Sequence, residues 1–576
     1  MVDDGKVTPV GGNDSGLKYL WFAALAALLL RLLFLLEYTQ QNPFYVHPIL
    51  DSAFYLNWAD AIQENKTFFM EEFHHPPGYA YFLSIVLWIS GGNTFAVLVL
   101  QTIFLTATGV LVFVAARQLL NSVVAAWTAY LLFTLCGPLT FYSFKVLSET
   151  LYGFLLFASF FSILRYTKSQ WMPALFAGGV LLGMAAEVRG NAALCIFPAA
   201  LAVARATPSG VRKMKSLMVL IAGTAVFIAP VLIRNIAVAG AWTPVASNWG
   251  ENFYFANNST ATGSFSSGPG FGASLEAQIE SVRKEASRLS GTTLTSQQAQ
   301  RFWFSKGIDY IRTNTIDWFR LEARKAVRIF WGGEASSIYY FGLETAIFQQ
   351  SFRFLFVNYG LILFLFFAGI VCIPDLRQFE LLFGLLLTQG FLFFVFWPEL
   401  RFEMPLFPFL IIVGSGITCI QSGALKNGKR LIFAGAGIAF WLFSNTVAAP
   451  EIRGHESWYT NAASALMTDQ RYPESENMAQ TAVRINPLYT DAWVNLGTAR
   501  YAQHQADHAE AAWKKALELS PEHPVALRNM ALLSEERQRI QDAILWWTRA
   551  RDAARKADAQ SEVAAIQKEI ERLQRQ

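Results

Sequence analysis

Charge is scarce in this sequence. Only 15% of its 576 residues are Asp, Glu, Lys or Arg, against 53% hydrophobic. Soluble domains carry about 25% charged residues, so an ordinary soluble chain is excluded and a membrane protein is left. Its charge is gathered in the stretch after Pro450. A formal net charge of +4 suggests no nucleic-acid partner. Cysteine is scarce too. Cys136, Cys195, Cys372 and Cys419 all lie inside apolar runs, with neither a disulfide framework nor metal-ligand spacing. They read as small buried hydrophobes. No HExxH and no CxxC occurs. Nor do the first residues read as a cleavable leader. The first apolar run, Leu17 to Leu36, exceeds a signal core, and Asp3, Asp4 and Asp14 precede it where a basic cluster would stand. It reads as a retained anchor.

What is present is long apolar runs. A spanning helix needs about 20 apolar residues. Runs near 17–36, 94–116, 122–142, 147–165, 171–187, 191–205, 215–238, 353–373, 379–397, 405–422 and 430–449 qualify as eleven spans. The run Tyr79 to Ser90 lies between Pro76-Pro77 and Gly91-Gly92 and is short enough for a helix on the membrane surface. With the N-terminal tail 1–16 in the cytoplasm, the inner loops collect Arg117, Arg165, Lys168, Arg205, Arg212, Lys213, Lys215, Arg377, Lys426, Lys429 and Arg430. That obeys the positive-inside rule, and counting Tyr79–Ser90 as a span would invert it. Outside lie the loops 37–93 and 239–352 and everything after 450. In the second loop, Ser264–Gly272 is Gly/Ser-rich and reads as a mobile connection. Helical patterns follow at 274–290 and 296–331. The latter interleaves Trp and Phe with basic residues, as an interfacial helix does.

After Pro450 a period of 34 appears. Ala482, Ala516 and Ala550 keep it, as do Pro487 and Pro521, Ala509 and Ala543, and Trp513 and Trp547. This is a tetratricopeptide array, with three repeats from about 456 and a charged capping helix near 559–575. The fold class is therefore all-α: a polytopic membrane domain of about eleven helices over 17–450, followed by an α-solenoid of tetratricopeptide repeats over 456–576.

Chemistry-bearing residues cluster at the outer ends of the spans. Asp51 follows the first span, and Tyr55 at i+4 shares its helix face; Asp51 could also cap that helix. Glu149 opens the fourth span, where an acid suits a helix N-terminus. Glu187 and Arg189 interrupt two apolar runs, at a depth where charges pair or serve a site; a mutual ion pair is one outcome. Arg234, with Asn235, and Arg401 are outer-face arginines against the positive-inside trend, and guanidinium suits phosphate. His74, His75 and Tyr79 form a His-His-Pro-Pro-Gly-Tyr turn fit for hydrogen bonding to phosphate or sugar, with no metal motif beside it. His504 and His508, at i,i+4 on a repeat helix, suit a solvated face.

Taken together, Asp51 with Tyr55, His75-Pro76-Pro77-Gly78-Tyr79, Ser148-Glu149, Arg189, Arg234-Asn235, and Arg401 with Pro405 resemble the GT-C glycosyltransferases. Within them, the chain is similar to bacterial relatives of dolichyl-phosphate-mannose protein mannosyltransferases and of the aminoarabinose lipid A transferase. The resemblance covers residues 17–450. It implies an inverting transfer of a sugar from a polyprenyl-phosphate donor to a hydroxyl of a protein, lipid or glycan. It also implies a multi-pass protein of the bacterial inner membrane, with the reaction and the repeats on the non-cytoplasmic side. By position it makes Asp51 the base and Glu149 a second catalytic acid, with Tyr55, His74, His75, Tyr79, Glu187, Arg189, Arg234, Asn235 and Arg401 binding substrate. Ser52 and Ala53 stand where some members carry a second acid, which disfavours a divalent metal; no cofactor is implied. The competing reading is a membrane-anchored assembly or transport protein of envelope polysaccharide that binds partners through its repeats. On the first reading, the repeats hold a protein acceptor or partner in a groove lined by residues such as Asn495, Arg500 and Arg528.

Overall fold

A computed structural model describes residues 15–64, 72–208, 210–265, 271, 275–420, 428–447, 455–557 and 559–575. Among them helices account for nearly all regular structure, and no strand occurs beyond one isolated bridge between Cys136 and Val357. The chain divides into two compact units. One comprises Met1–Asn42 and Leu50–Glu451; the other comprises Pro43–Ile49 and Ile452–Gln576.

Among the described residues of the first unit, seven helices are long and apolar enough to cross a membrane: Lys18–Gln41, Thr94–Leu120, Glu149–Ser169, Val211–Ala239, Arg377–Val395, Leu400–Cys419 and Gly428–Val447. Five shorter apolar helices accompany them, among them Gly78–Ser90 and Met172–Val188. Trp21, Phe22, Leu33, Trp88 and Ile89 stand exposed on these helices, as befits side chains facing lipid. This is the helical architecture of a multi-pass membrane protein.

Small residues let the helices approach. A Cβ on Gly179 would lie 2.5 Å from the carbonyl oxygen of Leu220, and one on Gly183 would meet that of Thr224. The helices Met172–Val188 and Val211–Ala239 therefore touch backbone to backbone, as membrane helices with small interfacial residues do. Gly78 does the same for the site. A Cβ there would lie 2.7 Å from the Glu187 carbonyl oxygen, so the His-Pro turn lies directly on the C-terminal end of Met172–Val188.

Two expected elements differ. The span at 122–142 breaks into Val123–Thr134 and Gly137–Ser143, because Gly137-Pro138 starts a second helix and Cys136 bridges to Val357. Its second piece is entirely buried. The pattern at 296–331 is two helices, Ser296–Thr313 and Thr315–Ile329, parted at Asn314 (φ −125°, ψ 44°). The loop expected at Ser264–Gly272 falls mostly outside the described residues.

The second unit consists of helix pairs His455–Thr468/Tyr472–Ile485, Thr490–Ala502/Ala506–Leu519 and Pro524–Glu536/Ile540–Lys556, closed by Gln560–Gln574. Each pair turns through one left-handed residue, and these recur every 34 positions: Gln470 (φ 60°), His504 (φ 62°) and Gln538 (φ 57°). Ala482, Ala516 and Ala550 are buried at the crossings. Trp513 donates its indole N–H to the Val494 carbonyl at 3.2 Å. His504 and His508 are exposed. Of the residues expected in a groove, Asn495 donates to the Thr460 carbonyl at 3.0 Å and Arg500 pairs with Glu476 at 2.9 Å, while Arg528 stays exposed.

Candidate functional site

Asp51 is the first residue of the helix Asp51–Gln63, and Leu50 before it takes φ 48°, ψ −119°. The helix start carries no side-chain cap, so the capping role is set aside. The Asp51 carboxylate is spent elsewhere: Arg401 donates from NH1 to Oδ2 at 2.6 Å. No described residue donates to the other carboxylate oxygen, and the side chain is 30% exposed.

Arg401 comes from the short helix Leu400–Glu403, whose Leu400 amide donates to the Ala335 carbonyl at 2.9 Å. That bond ties the 239–352 loop to the site. The guanidinium reaches three acids. NH1 lies 2.6 Å from Asp51 and 3.9 Å from Glu149, and Nε donates to Glu399 at 2.8 Å. Glu149, at the start of Glu149–Ser169, is held in turn by Arg189 NH2 at 2.6 Å. Both guanidiniums lie on Phe402, Arg189 at 4.3 Å and Arg401 at 4.5 Å from its ring centre. A cation within about 6 Å of a ring centre is attracted by the ring's negative face. Three carboxylates and two guanidiniums thus form one connected cluster. Taking such charges out of water costs several kcal/mol each unless they are paired, which the alternation of sign provides.

Tyr55 stands one turn after Asp51. Burial is the chief cause pushing its hydroxyl up to about 12; the Arg189 charge pulls down against Asp51 and Glu149. It is therefore a protonated donor at any working pH. Its ring meets Tyr79 edge-on at 4.8 Å. The Tyr79 hydroxyl donates to Gln101 at 2.7 Å, so its contribution to the site is its ring face.

The histidines are bound to the 239–352 loop. His74 Nε2 lies 2.8 Å from Glu251, whose other oxygen accepts from Gln300 at 2.9 Å. His75 Nδ1 faces the Asn248 amide nitrogen at 3.1 Å. That nitrogen can only donate, so the ring proton sits on Nε2, which is enclosed without a partner among the described residues. Burial, then the neighbouring His74, pushes His75 down to about 3. It is a neutral donor, not a cation for phosphate. Among the described residues no group of three or more His, Cys, Asp or Glu could hold a metal ion.

Glu187 and Arg189 do not pair: Arg189 turns to Glu149, and both Glu187 oxygens are buried without a partner among the described residues. Arg234 and Asn235 do not join the Asp51–Arg401 cluster. The Arg234 guanidinium donates to Asn235 at 2.9 Å and stacks on Phe73 at 3.9 Å. Asn235 accepts from the Phe73 amide and donates to the Thr243 carbonyl. The pair fastens the segment before the His-Pro turn.

Sequence reasoning missed Glu399, Phe402 and a buried pair beneath the Asp51 helix. Lys145 Nζ lies 2.5 Å from Glu344, both side chains fully buried. Glu399 and Phe402 stand in the same short segment as Arg401 and could have been taken with it. Lys145 sits in Thr-Phe-Tyr-Ser-Phe-Lys, one turn before Glu149, and a lone Lys in an apolar stretch was the available signal.

Comparison with known proteins adds the following. Residues 74–233 match the family model described as dolichyl-phosphate-mannose-protein mannosyltransferase. The match supports a mannosyltransferase-like relation and implies membrane glycosyltransferase activity. It takes in His74, His75, Tyr79, Glu149, Glu187 and Arg189, stops one residue short of Arg234, and leaves Asp51 and Arg401 outside. No curated protein matches. Among solved structures, that of yeast Tom70 is similar at 13% identity over 81% of this chain and 96% of that one, with a TM-score of 0.21. A likeness so slight carries no argument, and the repeat architecture rests on the helices themselves.

Proposed function

We propose that the protein transfers a sugar from a polyprenyl-phosphate-linked donor to a hydroxyl on the non-cytoplasmic face, with inversion and with Asp51 as the base. The acceptor is a hydroxyl of a protein, lipid or glycan. The single observation carrying this reading is the Asp51–Arg401 contact: a half-buried carboxylate with one oxygen on a guanidinium and the other open, at the start of the helix Asp51–Gln63 that follows the first apolar helix.

The chemistry follows from that pairing. A sugar on a phosphate has a stable anionic leaving group, which needs positive charge at the departing oxygen. Arg401 and Arg189 supply it. Phosphate competes with carboxylate for guanidinium in the same fork geometry. When the donor phosphate takes Arg401, Asp51 is released from it, and its carboxylate is free to accept the proton of the incoming hydroxyl. General-base help of this kind is worth about 10²–10⁴-fold. Glu149 keeps Arg189 in place from one side, and Glu399 keeps Arg401. Tyr55 and the His75 Nε2–H are neutral donors for sugar or phosphate oxygens. As Asp51 takes its proton, the acceptor hydroxyl oxygen attacks the anomeric carbon from the face opposite the leaving phosphate; the new C–O bond replaces the broken bond to the phosphate oxygen, which gives inversion.

The reaction as drawn uses no metal and no cofactor. The donor and the membrane are its necessary partners. The cell compartment is the inner membrane, with the repeats outside. The test is transfer by purified protein from a polyprenyl-phosphate sugar to a hydroxyl acceptor, read as anomeric configuration and rate. Retention of configuration would overturn the inverting mechanism with Asp51 as base, and flipping of the lipid in vesicles without transfer would replace this reading with the transport alternative.

A further inference from the structure

Lys145 and Glu344 lie outside the chemistry drawn above, yet they are a buried ion pair, which is costly to retain. The ammonium is enclosed by three rings, with Nζ 4.4 Å from Tyr38, 4.6 Å from Phe141 and 4.4 Å from Tyr339. Rings within about 6 Å attract a cation through their negative faces. Glu344 Oε2 also accepts from Asn42 at 2.8 Å. One member of the cage reaches the site. The Tyr339 hydroxyl donates to Ser52 Oγ at 3.0 Å, and Ser52 is buried beside Asp51. The Lys145 carbonyl meanwhile accepts from Gln101 at 2.8 Å, and Gln101 holds the hydroxyl of Tyr79, whose ring meets Tyr55.

We propose that Lys145 is a positioning residue that fixes the start of the Asp51 helix through the ring and hydroxyl of Tyr339 on Ser52. The inference rests on Asp51 being the base. The Leu50 backbone before Asp51 is left-handed and uncapped, so no cap of its own holds the first turn. The Tyr339–Ser52 bond supplies an anchor one residue from the carboxylate. The ammonium keeps Tyr339 in place by attraction to its face, and Glu344 neutralises the ammonium without touching the site. A loss of one such hydrogen bond is worth about 0.5–1.5 kcal/mol, or roughly two- to tenfold in rate.

The test uses the full-length protein in detergent, with a polyprenyl-phosphate sugar and a hydroxyl acceptor. Tyr339→Phe keeps the ring over the ammonium and removes the hydroxyl that bonds Ser52. Its kcat should fall roughly two- to tenfold, with donor KM and melting temperature unchanged. Ser52→Ala should match it. In an Asp51→Asn background Tyr339→Phe should cost nothing further, because the group being positioned is gone; a general loss of packing would cost the same in both backgrounds. Lys145→Met with Glu344→Met removes the charge and keeps volume. Its kcat should stay low even where stability recovers. Unchanged kcat in Tyr339→Phe, equal losses in both backgrounds, or full recovery in the double Met variant would each overturn the proposal. If Asp51→Asn is itself fully active, the failure lies in the proposed base and not in Lys145 alone.

Discussion

Asp51 and Arg401 are 350 residues apart in sequence and meet at 2.6 Å. One guanidinium nitrogen serves Asp51, and another serves Glu399. Arg401 therefore organises the acids. On the proposed mechanism the donor phosphate takes Arg401 and frees the Asp51 carboxylate, so donor arrival would be linked to base activation.

Arg401→Lys tests the two-nitrogen geometry. Ammonium is a single point of charge, while the guanidinium fork holds two acids in fixed directions. Turnover should fall about 10²-fold or more, as when an electrostatic stabiliser of developing charge is removed. Steady-state kinetics on reconstituted protein would measure it. A variant retaining a third of wild-type turnover would show that the bridging geometry is dispensable.

Much of the first unit can be read from its residues, because apolar runs and their flanking prolines, glycines and basic residues mark helices directly. The site is legible as a set of residues and not as a set of pairs. Glu187 and Arg189, two positions apart, could have formed an ion pair. The helix ends at Val188, Arg189 takes extended backbone (φ −144°, ψ 113°), and its guanidinium finds Glu149 instead. Arg234 looked like Arg401 because both end outer helices, but packing against Phe73 and Asn235 takes it away from the cluster. Lys145 was missed for a related reason. A buried charge is identified by its partner, and Glu344 lies 199 residues on. The repeats were the most legible part, since each buries its face on its neighbour and so repeats its sequence.

The repeats can be tested for acceptor recruitment. Pro43–Ile49 belongs to the same unit as the repeats. Within that unit the Phe44 ring lies 5.9 Å from Trp458, and His47 lies 2.7 Å from Asp469. Deleting residues 456–576 would strip partners from the segment that leads into Asp51, so activity on every acceptor should fall. Arg528→Glu is the cleaner variant, because Arg528 is exposed. Recruitment predicts a drop in kcat/KM of at least about tenfold for a full-length acceptor, from lost effective concentration. A minimal hydroxyl mimic should be unaffected. Equal loss on both acceptors, measured side by side, would contradict recruitment.

Membrane orientation gives an independent check. With the N-terminus inside and eleven spans, a reporter fused after Gln576 should be active on the periplasmic side. A cytoplasmic signal would mean that Gly78–Ser90, 13 residues long, crosses the bilayer, and would place the Asp51 loop and the repeats on opposite sides.

The most direct measurement is single-turnover transfer by Asp51→Asn alongside binding of the polyprenyl-phosphate donor. Asparagine keeps the shape and can still meet Arg401 through its carbonyl oxygen, but it cannot take a proton. The account predicts donor affinity close to wild type and a transfer rate lower by about 10²-fold or more. Transfer at near the wild-type rate would contradict it and remove Asp51 from the reaction.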